Sequence, residues 1–210
     1  DVRYKDQNGD GKITDEDKVV LGSPLPKLTY GFSVNLEYKG FDLSAFFNGT
    51  YGNKVLNGLR QYTYYFQSNS NRQADFIDRF VPFDVYALND NGEEVLVMEA
   101  NHDAALPRNA ADNYNKLREW YIEDGSYLRL RNLVLGYTVP QNISSKIGVE
   151  RLRVYGGARN LFTLTKYSGL SPEVAGKQPE DGSTQTMEMG VDLGVYPVTK
   201  MYYFGVNITF

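Results

Sequence analysis

The 210-residue sequence predicts an all-β, antiparallel fold, and three observations carry that prediction. Five segments alternate apolar and polar residues with a period of two. The composition holds 17 Tyr, 11 Phe and 20 Gly, the residues of strands, aromatic girdles and tight turns. Short turns join some of these segments and long irregular stretches join others.

Residues 1–27 are polar and end in Gly22-Ser23-Pro24-Leu25-Pro26, which reads as loop. Leu28, Tyr30, Phe32, Val34, Leu36 and Tyr38 then alternate with Thr29, Gly31, Ser33, Asn35 and Glu37, a long amphipathic strand. A Lys39-Gly40 turn leads directly into Phe41, Leu43, Ala45, Phe47, Gly49 and Tyr51, so the two segments form a hairpin. Residues 54–125 hold no sustained period; a small hairpin is expected around Asn89-Asp90-Asn91-Gly92 and a short helix at 74–80. Strand character returns over 127–139, with a phase slip between Leu130 and Leu133 of the kind a β-bulge produces. Pro140 ends it. A fourth strand spans 152–162, a Pro- and Gly-containing loop 165–199, and a fifth strand 201–210 ends on Phe210.

Alternation alone is the ordinary sign of a half-buried strand in a soluble sandwich. Three features favour lipid instead. Strands of about eleven residues match the 9–11 needed to cross a bilayer at a tilt. The apolar faces carry no charge, and a Lys or Arg at mid-bilayer costs about 2–4 kcal/mol. Aromatics fall near opposite strand ends, in the pairs Tyr30 and Tyr38, Phe41 and Tyr51, Tyr127 and Tyr137, Tyr202 and Phe210, as interfacial girdles require. The opposite faces carry Glu37, Asp42, Arg129, Arg131, Arg153 and Arg159, which suits a wet or plugged lumen. No run of eighteen apolar residues offers a transmembrane helix.

Because tight turns of such barrels are periplasmic and long loops external, the expected organisation is as follows. An extracellular calcium-type loop occupies 1–27, a transmembrane hairpin 28–53 and a long extracellular loop 54–125. A transmembrane strand pair occupies 126–164 with a periplasmic turn at 140–149, then an extracellular loop 165–199 and a C-terminal barrel strand 200–210. Five strands fall short of the eight in the smallest common barrel, so more chain is expected to complete it. No secretory leader is read in the sequence, which begins with Asp; it was removed or lies upstream.

Asp6-Gln7-Asn8-Gly9-Asp10-Gly11-Lys12-Ile13-Thr14-Asp15-Glu16-Asp17 has the spacing of an EF-hand or dockerin-type loop. Oxygen side chains stand at positions 1, 3, 5 and 12, Gly at 6, and Lys12 offers its carbonyl at 7. The expected ligands of a structural Ca²⁺ are Asp6, Asn8, Asp10, Lys12 and Asp17. The competing reading is a polar turn that binds nothing.

Other chemistry is thinly represented. There is no Cys and one His, His102, which excludes thiolate and multi-histidine sites. No catalytic constellation stands out, and no enzyme is expected. Glu93-Glu94 and Glu123-Asp124 read as solvated loop charges. A net charge of −4 gives no reason to expect nucleic acid. For contact with cargo or a partner protein the candidates are Tyr62, Tyr64, Tyr65, Phe66, Trp120 and Tyr121, with packing inside the loop as the alternative. Phe210 is the candidate barrel-assembly signal, and equally an interface anchor.

Taken in order, Asp6-Gln-Asn-Gly-Asp-Gly-Lys-Ile, Leu21-Gly-Ser-Pro, Tyr30-Gly-Phe, Glu37-Tyr-Lys-Gly-Phe-Asp-Leu-Ser, Glu123-Asp-Gly-Ser-Tyr-Leu-Arg-Leu-Arg-Asn-Leu, Gly136-Tyr, Ala158-Arg-Asn-Leu-Phe and the final Phe210 make a specific pattern. The sequence resembles the C-terminal part of SusC/RagA-type TonB-linked outer-membrane transporters. The resemblance implies a roughly 22-stranded barrel with a plug domain in the Gram-negative outer membrane, importing oligosaccharides or peptides. It further implies a SusD-like surface lipoprotein as partner and TonB contact through an upstream N-terminal part. Two other readings stand beside it: a soluble calcium-binding β-domain such as a carbohydrate-binding module, and a passive porin. Detergent dependence separates the first of these from a barrel, and an upstream plug separates the second from an active transporter.

Overall fold

Sustained alternation produces long strands, and shorter apolar runs between Gly and Pro produce short ones. The computed structural model describes residues 2, 4–64, 71–114, 119–174 and 189–210, with the backbone alone at Ala111 and Asp112. In chain order the elements are β1 (Leu28–Tyr38), β2 (Phe41–Tyr51), β3 (Lys54–Asn57), α1 (Gly58–Tyr64), β4 (Val85–Leu88) and β5 (Glu94–Met98). There follow α2 (Ala111–Tyr114), β6 (Ile122–Asp124), β7 (Tyr127–Thr138), α3 (Gln141–Ser144), β8 (Arg151–Thr165), β9 (Val191–Asp192) and β10 (Met201–Thr209). They divide between two units, Asp1–Leu21 with Asn57–Ile122, and Gly22–Leu56 with Glu123–Phe210.

The second unit is built on an antiparallel five-stranded sheet in the order β1-β2-β7-β8-β10. The β1–β2 connection is a two-residue turn with Lys39 at φ 47 and Gly40 at φ 87. Positive φ at both central residues is the primed geometry whose twist matches the flanking strands. A side chain at Gly40 would also press on the Thr138 carbonyl 2.8 Å away. Pro140 and the left-handed Gly148 bracket a helical turn, α3 followed by one 3-10 turn, where a simple polar turn was expected.

Register fixes the faces, because residues paired across antiparallel strands share a side. Phe32 pairs with Phe47 and Leu36 with Leu43. Leu43 pairs with Leu135, Ala45 with Leu133 and Phe41 with Tyr137. Leu135 continues to Gly156 and Leu133 to Ala158, and these meet Phe204 and Tyr202. One apolar face therefore runs through all five strands without a charged residue. Most of it stays uncovered: Tyr38, Tyr51, Leu36, Tyr202, Phe204 and Val206 are all exposed, while the small Ala45 and Ala158 and the bulge neighbour Leu130 are buried. Rings pack on it, Phe32 stacked on Phe47 at 4.9 Å and Phe41 tilted against Tyr137 at 4.6 Å.

The bulge read from the phase slip lies between Leu130 and Asn132, where Arg131 has no partner in β2 or β8. It corrects one reading of the girdles. Tyr127 pairs with Thr50 and Thr165 on the polar face and is 6% exposed. Counting back from Tyr137 across the extra residue reverses the parity, so Tyr127 cannot stand beside Tyr137 on the apolar side.

Strand glycines lie under rings from the neighbouring strand. A side chain at Gly157 would enter the Tyr203 ring, and one at Gly205 the Tyr155 ring. Since Tyr203 pairs with Gly157 and Tyr155 with Gly205, the two strands clasp reciprocally, a device that pins register. Tyr30 covers Gly49 in the same way and donates its hydroxyl to the Tyr127 carbonyl at 2.9 Å.

Within 54–125, read as irregular, β4 and β5 form the hairpin expected around Asn89–Gly92, and residues 74–77 form a 3-10 turn. The first unit has a core of Tyr64, Phe76, Leu106 and Tyr114, with Trp120 packed against it. The order β6-β3-β9 makes a small sheet that alternation did not reveal.

Candidate functional site

Four groups of residues carry the chemistry. In the Asp-rich loop, each turn is closed by a side-chain oxygen. The Asp6 carboxylate accepts the Gly9 and Gly11 amides at 2.6 and 2.8 Å, Asn8 accepts that of Asp10, and Asp10 that of Lys12. Asp17 accepts from Gln7 and Thr14 at 2.8 and 2.7 Å. Those amides, Thr14 first, hold the Asp17 carboxyl below its ordinary range. Gly9 and Gly11 take φ of 76 and 78, which lets the chain curl. Three carboxylates, an amide oxygen and the Lys12 carbonyl are hard oxygen donors of the kind Ca²⁺ takes. Among the described residues no three His, Cys, Asp or Glu side chains converge on one point, so a cation here would draw the loop's oxygens inward.

The aromatic candidates divide by burial. Tyr64 and Tyr121 are fully buried. Tyr64 meets Trp120 edge-on at 4.9 Å, and the Tyr121 hydroxyl donates to the Tyr114 carbonyl at 2.9 Å. Burial pushes the Tyr64 hydroxyl far above its ordinary range. Packing inside the unit accounts for both residues. Trp120 is half-buried under the Arg60 guanidinium, 4.2 Å from the ring centre, and lines an open cleft of about 1300 Å³ with Ile13, Leu106 and Pro107. Tyr62 is 58% exposed. Tyr65 and Phe66 lie outside the described residues.

The polar face of the five-stranded sheet carries two ion-pair groups that no local pattern announces. Arg153 on β8 reaches across β7 to Asp42 on β2 through two hydrogen bonds of 2.9 and 2.5 Å. Gly136 lies beneath, and a side chain there would collide with both partners. Arg129, with its side chain 3% exposed, meets Glu173 at 2.5 Å, and Arg131 meets the other oxygen of the same carboxylate at 3.4 Å. Sequence reading missed Glu173 because its partners are more than forty positions away.

Elsewhere in this unit, Tyr167 donates to the fully buried Asp192 at 2.6 Å, and Asp192 also accepts the Gly194 and Val195 amides. Burial, then the Asp192 carboxylate, pushes the Tyr167 hydroxyl far up. Glu123 accepts from the Ser168 amide and hydroxyl, and Asp124 from those of Ser126. These two carboxylates fasten loops, where solvated charges were expected. Phe210 follows the last strand residue and is 88% exposed.

Comparison with known proteins shows what the chain is similar to. No family model matches. TonB-dependent receptors P3 and P26 of Formosa agariphila are 31% and 33% identical over 99% and 100% of the chain. TonB-dependent receptor SusC of Bacteroides thetaiotaomicron is 26% identical over 99%. A chain of the RagAB peptide transporter superposes over 90% of this chain with a TM-score of 0.59 and 27% identity. The RagAB peptide importer in its closed-closed state gives a TM-score of 0.65 at 24% identity over 95%. The chain spans 19% of P3 and P26 and 17% of SusC. The named relatives are receptors and transporters rather than enzymes. Along its whole length the chain is thus similar to TonB-dependent receptors of the SusC and RagA type, its antiparallel strands superpose on a RagAB chain, and it spans about a fifth of the length of these relatives.

Proposed function

We propose that the chain forms part of a TonB-dependent transporter of the Gram-negative outer membrane that imports oligosaccharides or peptides together with a SusD-like surface lipoprotein. The observation that carries this reading is the charge-free apolar face running largely uncovered through five paired strands, backed by a face bearing Asp42, Arg129, Arg153 and Arg159. Soluble monomers rarely leave so large a contiguous apolar surface bare, and a bilayer covers it while the charges face an interior. The RagAB peptide transporter supports peptides as a cargo class, while the oligosaccharide alternative and the lipoprotein partner rest on the sequence resemblance to SusC-type proteins. A calcium-binding module would not need this face, and a passive porin would not need TonB.

In this reading the turns at 39–40 and 140–149 are periplasmic, and residues 1–27, 54–125 and 165–199 are extracellular. The Asp-rich loop is a structural Ca²⁺ site held by Asp6, Asn8, Asp10, Asp17 and the Lys12 carbonyl. Tyr62 and Trp120 are the accessible aromatics for cargo or partner contact, and Phe210 marks the strand for barrel assembly.

The test is made in the producing bacterium. The full-length receptor should fractionate with the outer membrane, co-purify with a surface lipoprotein, and support uptake that stops when TonB is deleted. Uptake that persists without TonB sinks the active-transport reading. Calcium titration of the receptor by calorimetry should show a site lost in Asp6→Asn/Asp10→Asn; equal binding by that variant removes the loop as the site.

A further inference from the structure

We propose that Arg129, Arg131 and Arg159 form a reception site for the carboxylates of an acidic cargo, with Glu173 as a built-in counter-ion that the cargo displaces. The proposal rests on the transport reading above.

The three arginines gather where regular pairing breaks. Arg129 pairs with Thr163 and Asn132 with Arg159, and Arg131 lies between them, unpaired in the register. Opposite Arg131, β8 carries two further unpaired residues, Asn160 at φ 51 and Leu161. A bulge frees a residue from the ladder and re-aims its side chain. Arg131 is thereby turned onto the same carboxylate as Arg129.

Two of the three guanidiniums are set in place by the wall itself. Arg129 donates through Nε to the Thr163 hydroxyl at 2.9 Å and lies 5.4 Å from the centre of the Tyr127 ring. Arg159 lies over Tyr203 at 5.9 Å, and the Tyr203 hydroxyl donates to Asn132 Oδ1 at 3.2 Å. Groups held this way lose little freedom on binding.

Charge is unbalanced at this spot. Among the described residues two guanidiniums share the one Glu173 carboxylate and Arg159 stands on the same face opposite Asn132 with no ion pair of its own, whereas Arg153 and Asp42 neutralise each other. The carboxylate is also on the yielding side of the pair: Glu173 sits outside the strands, 40% exposed, while Arg129 is 3% exposed. A buried Arg requires a partner, but the partner's identity is set only by its chemistry. Planar guanidiniums take carboxylates bidentately, so an incoming carboxylate can replace Glu173 and also use the surplus charge of Arg131 and Arg159. An acidic peptide and a uronate-containing oligosaccharide share that group.

The test uses the purified full-length receptor and its uptake assay in cells. Probes are a pool of Asp- and Glu-rich peptides and a pool of uronate-containing oligosaccharides, each against a neutral pool of the same length. The wild type should prefer one acidic pool over its neutral counterpart by about tenfold or more, less so at high salt; which pool it is identifies the source. In Arg131→Gln/Arg159→Gln that ratio should fall towards one, and in Glu173→Gln it should rise. Charge-indifferent uptake, or a ratio untouched by the double variant, overturns the proposal and leaves the arginines to seat carboxylates of the receptor's own remaining four fifths. Absence of TonB-dependent uptake of any pool overturns the transport reading, and this proposal with it.

Discussion

Phe204→Arg gives different results in lipid and in water. Phe204 is 90% exposed on the apolar face and is the fourth of nine residues in β10. At about 3.3 Å per residue and a tilt of about 40°, it lies about 2.5 Å along the membrane normal from the strand's centre. An arginine there meets the hydrocarbon mid-plane at a cost of about 2–4 kcal/mol. That lowers the folding constant by about 30-fold to about 1,000-fold. In water the same change removes an exposed ring that touches little, and the effect stays within about 0.5 kcal/mol. The control is Asn35→Arg, an exposed polar-face position paired with Ser44. Full-length receptor folded into phosphatidylcholine vesicles is unfolded with urea and followed by heat-modifiable mobility on gels. If Phe204→Arg proves as benign as Asn35→Arg, the apolar face does not meet lipid.

Three further outcomes are expected. Asp42→Asn and Arg153→Gln should each destabilise the sheet by about 1–3 kcal/mol, less than a fully buried pair because the side chains are 28% and 19% exposed. The double variant should cost less than the sum, and a coupling energy of zero in the urea cycle would dismiss the pair. Gly157→Val should force the Tyr203 ring aside and cost about 1–3 kcal/mol by overpacking; Tyr203→Ala in the same chain should restore folded yield, and a tolerated valine counts against the clasp. For the Asp-rich loop without calcium, the lowered Asp17 carboxyl means that its contribution to order is fully present above the ordinary value of about 3.9. It is lost as pH falls through the depressed value in the folded loop. Amide exchange at Gln7 and Thr14 should accelerate over that range, and Asp17→Asn should show fast exchange at every pH.

What the sequence made legible follows from the range of the interactions involved. A strand of nine or more residues repeats its period often enough to be read, which is why β1, β2 and β10 end within a residue of their expected limits. β3, β6 and β9 have four, three and two residues, too few to display alternation. The Asp-rich loop was legible because its hydrogen bonds span at most about ten positions. Glu173 and Asp192 were not, since their side-chain partners lie 44 and 25 positions away. Tyr64 and Tyr121 look like exposed loop aromatics in sequence, and only tertiary packing distinguishes them from Tyr62.

Tyr127 shows how a single residue can invert a local reading, and the reason reaches the proposed site. Deleting Arg131 from the pattern would leave Leu128, Leu130, Leu133, Leu135 and Tyr137 in uninterrupted alternation. The residue is therefore surplus to the apolar face. Its neighbours accommodate it in steps: between the same paired positions β2 has no extra residue, β7 has one and β8 has two. Offset bulges in adjacent strands bend a sheet and increase its twist at that level. A wall that needed only to face lipid would gain nothing from this interruption of its ladder. The interruption places Arg131 beside Arg129 and across from Arg159 while every apolar residue keeps its side. The disturbance of the pairing is thus explained by the polar face, where Arg129 and Arg131 share Glu173 and Arg159 stands on the next strand.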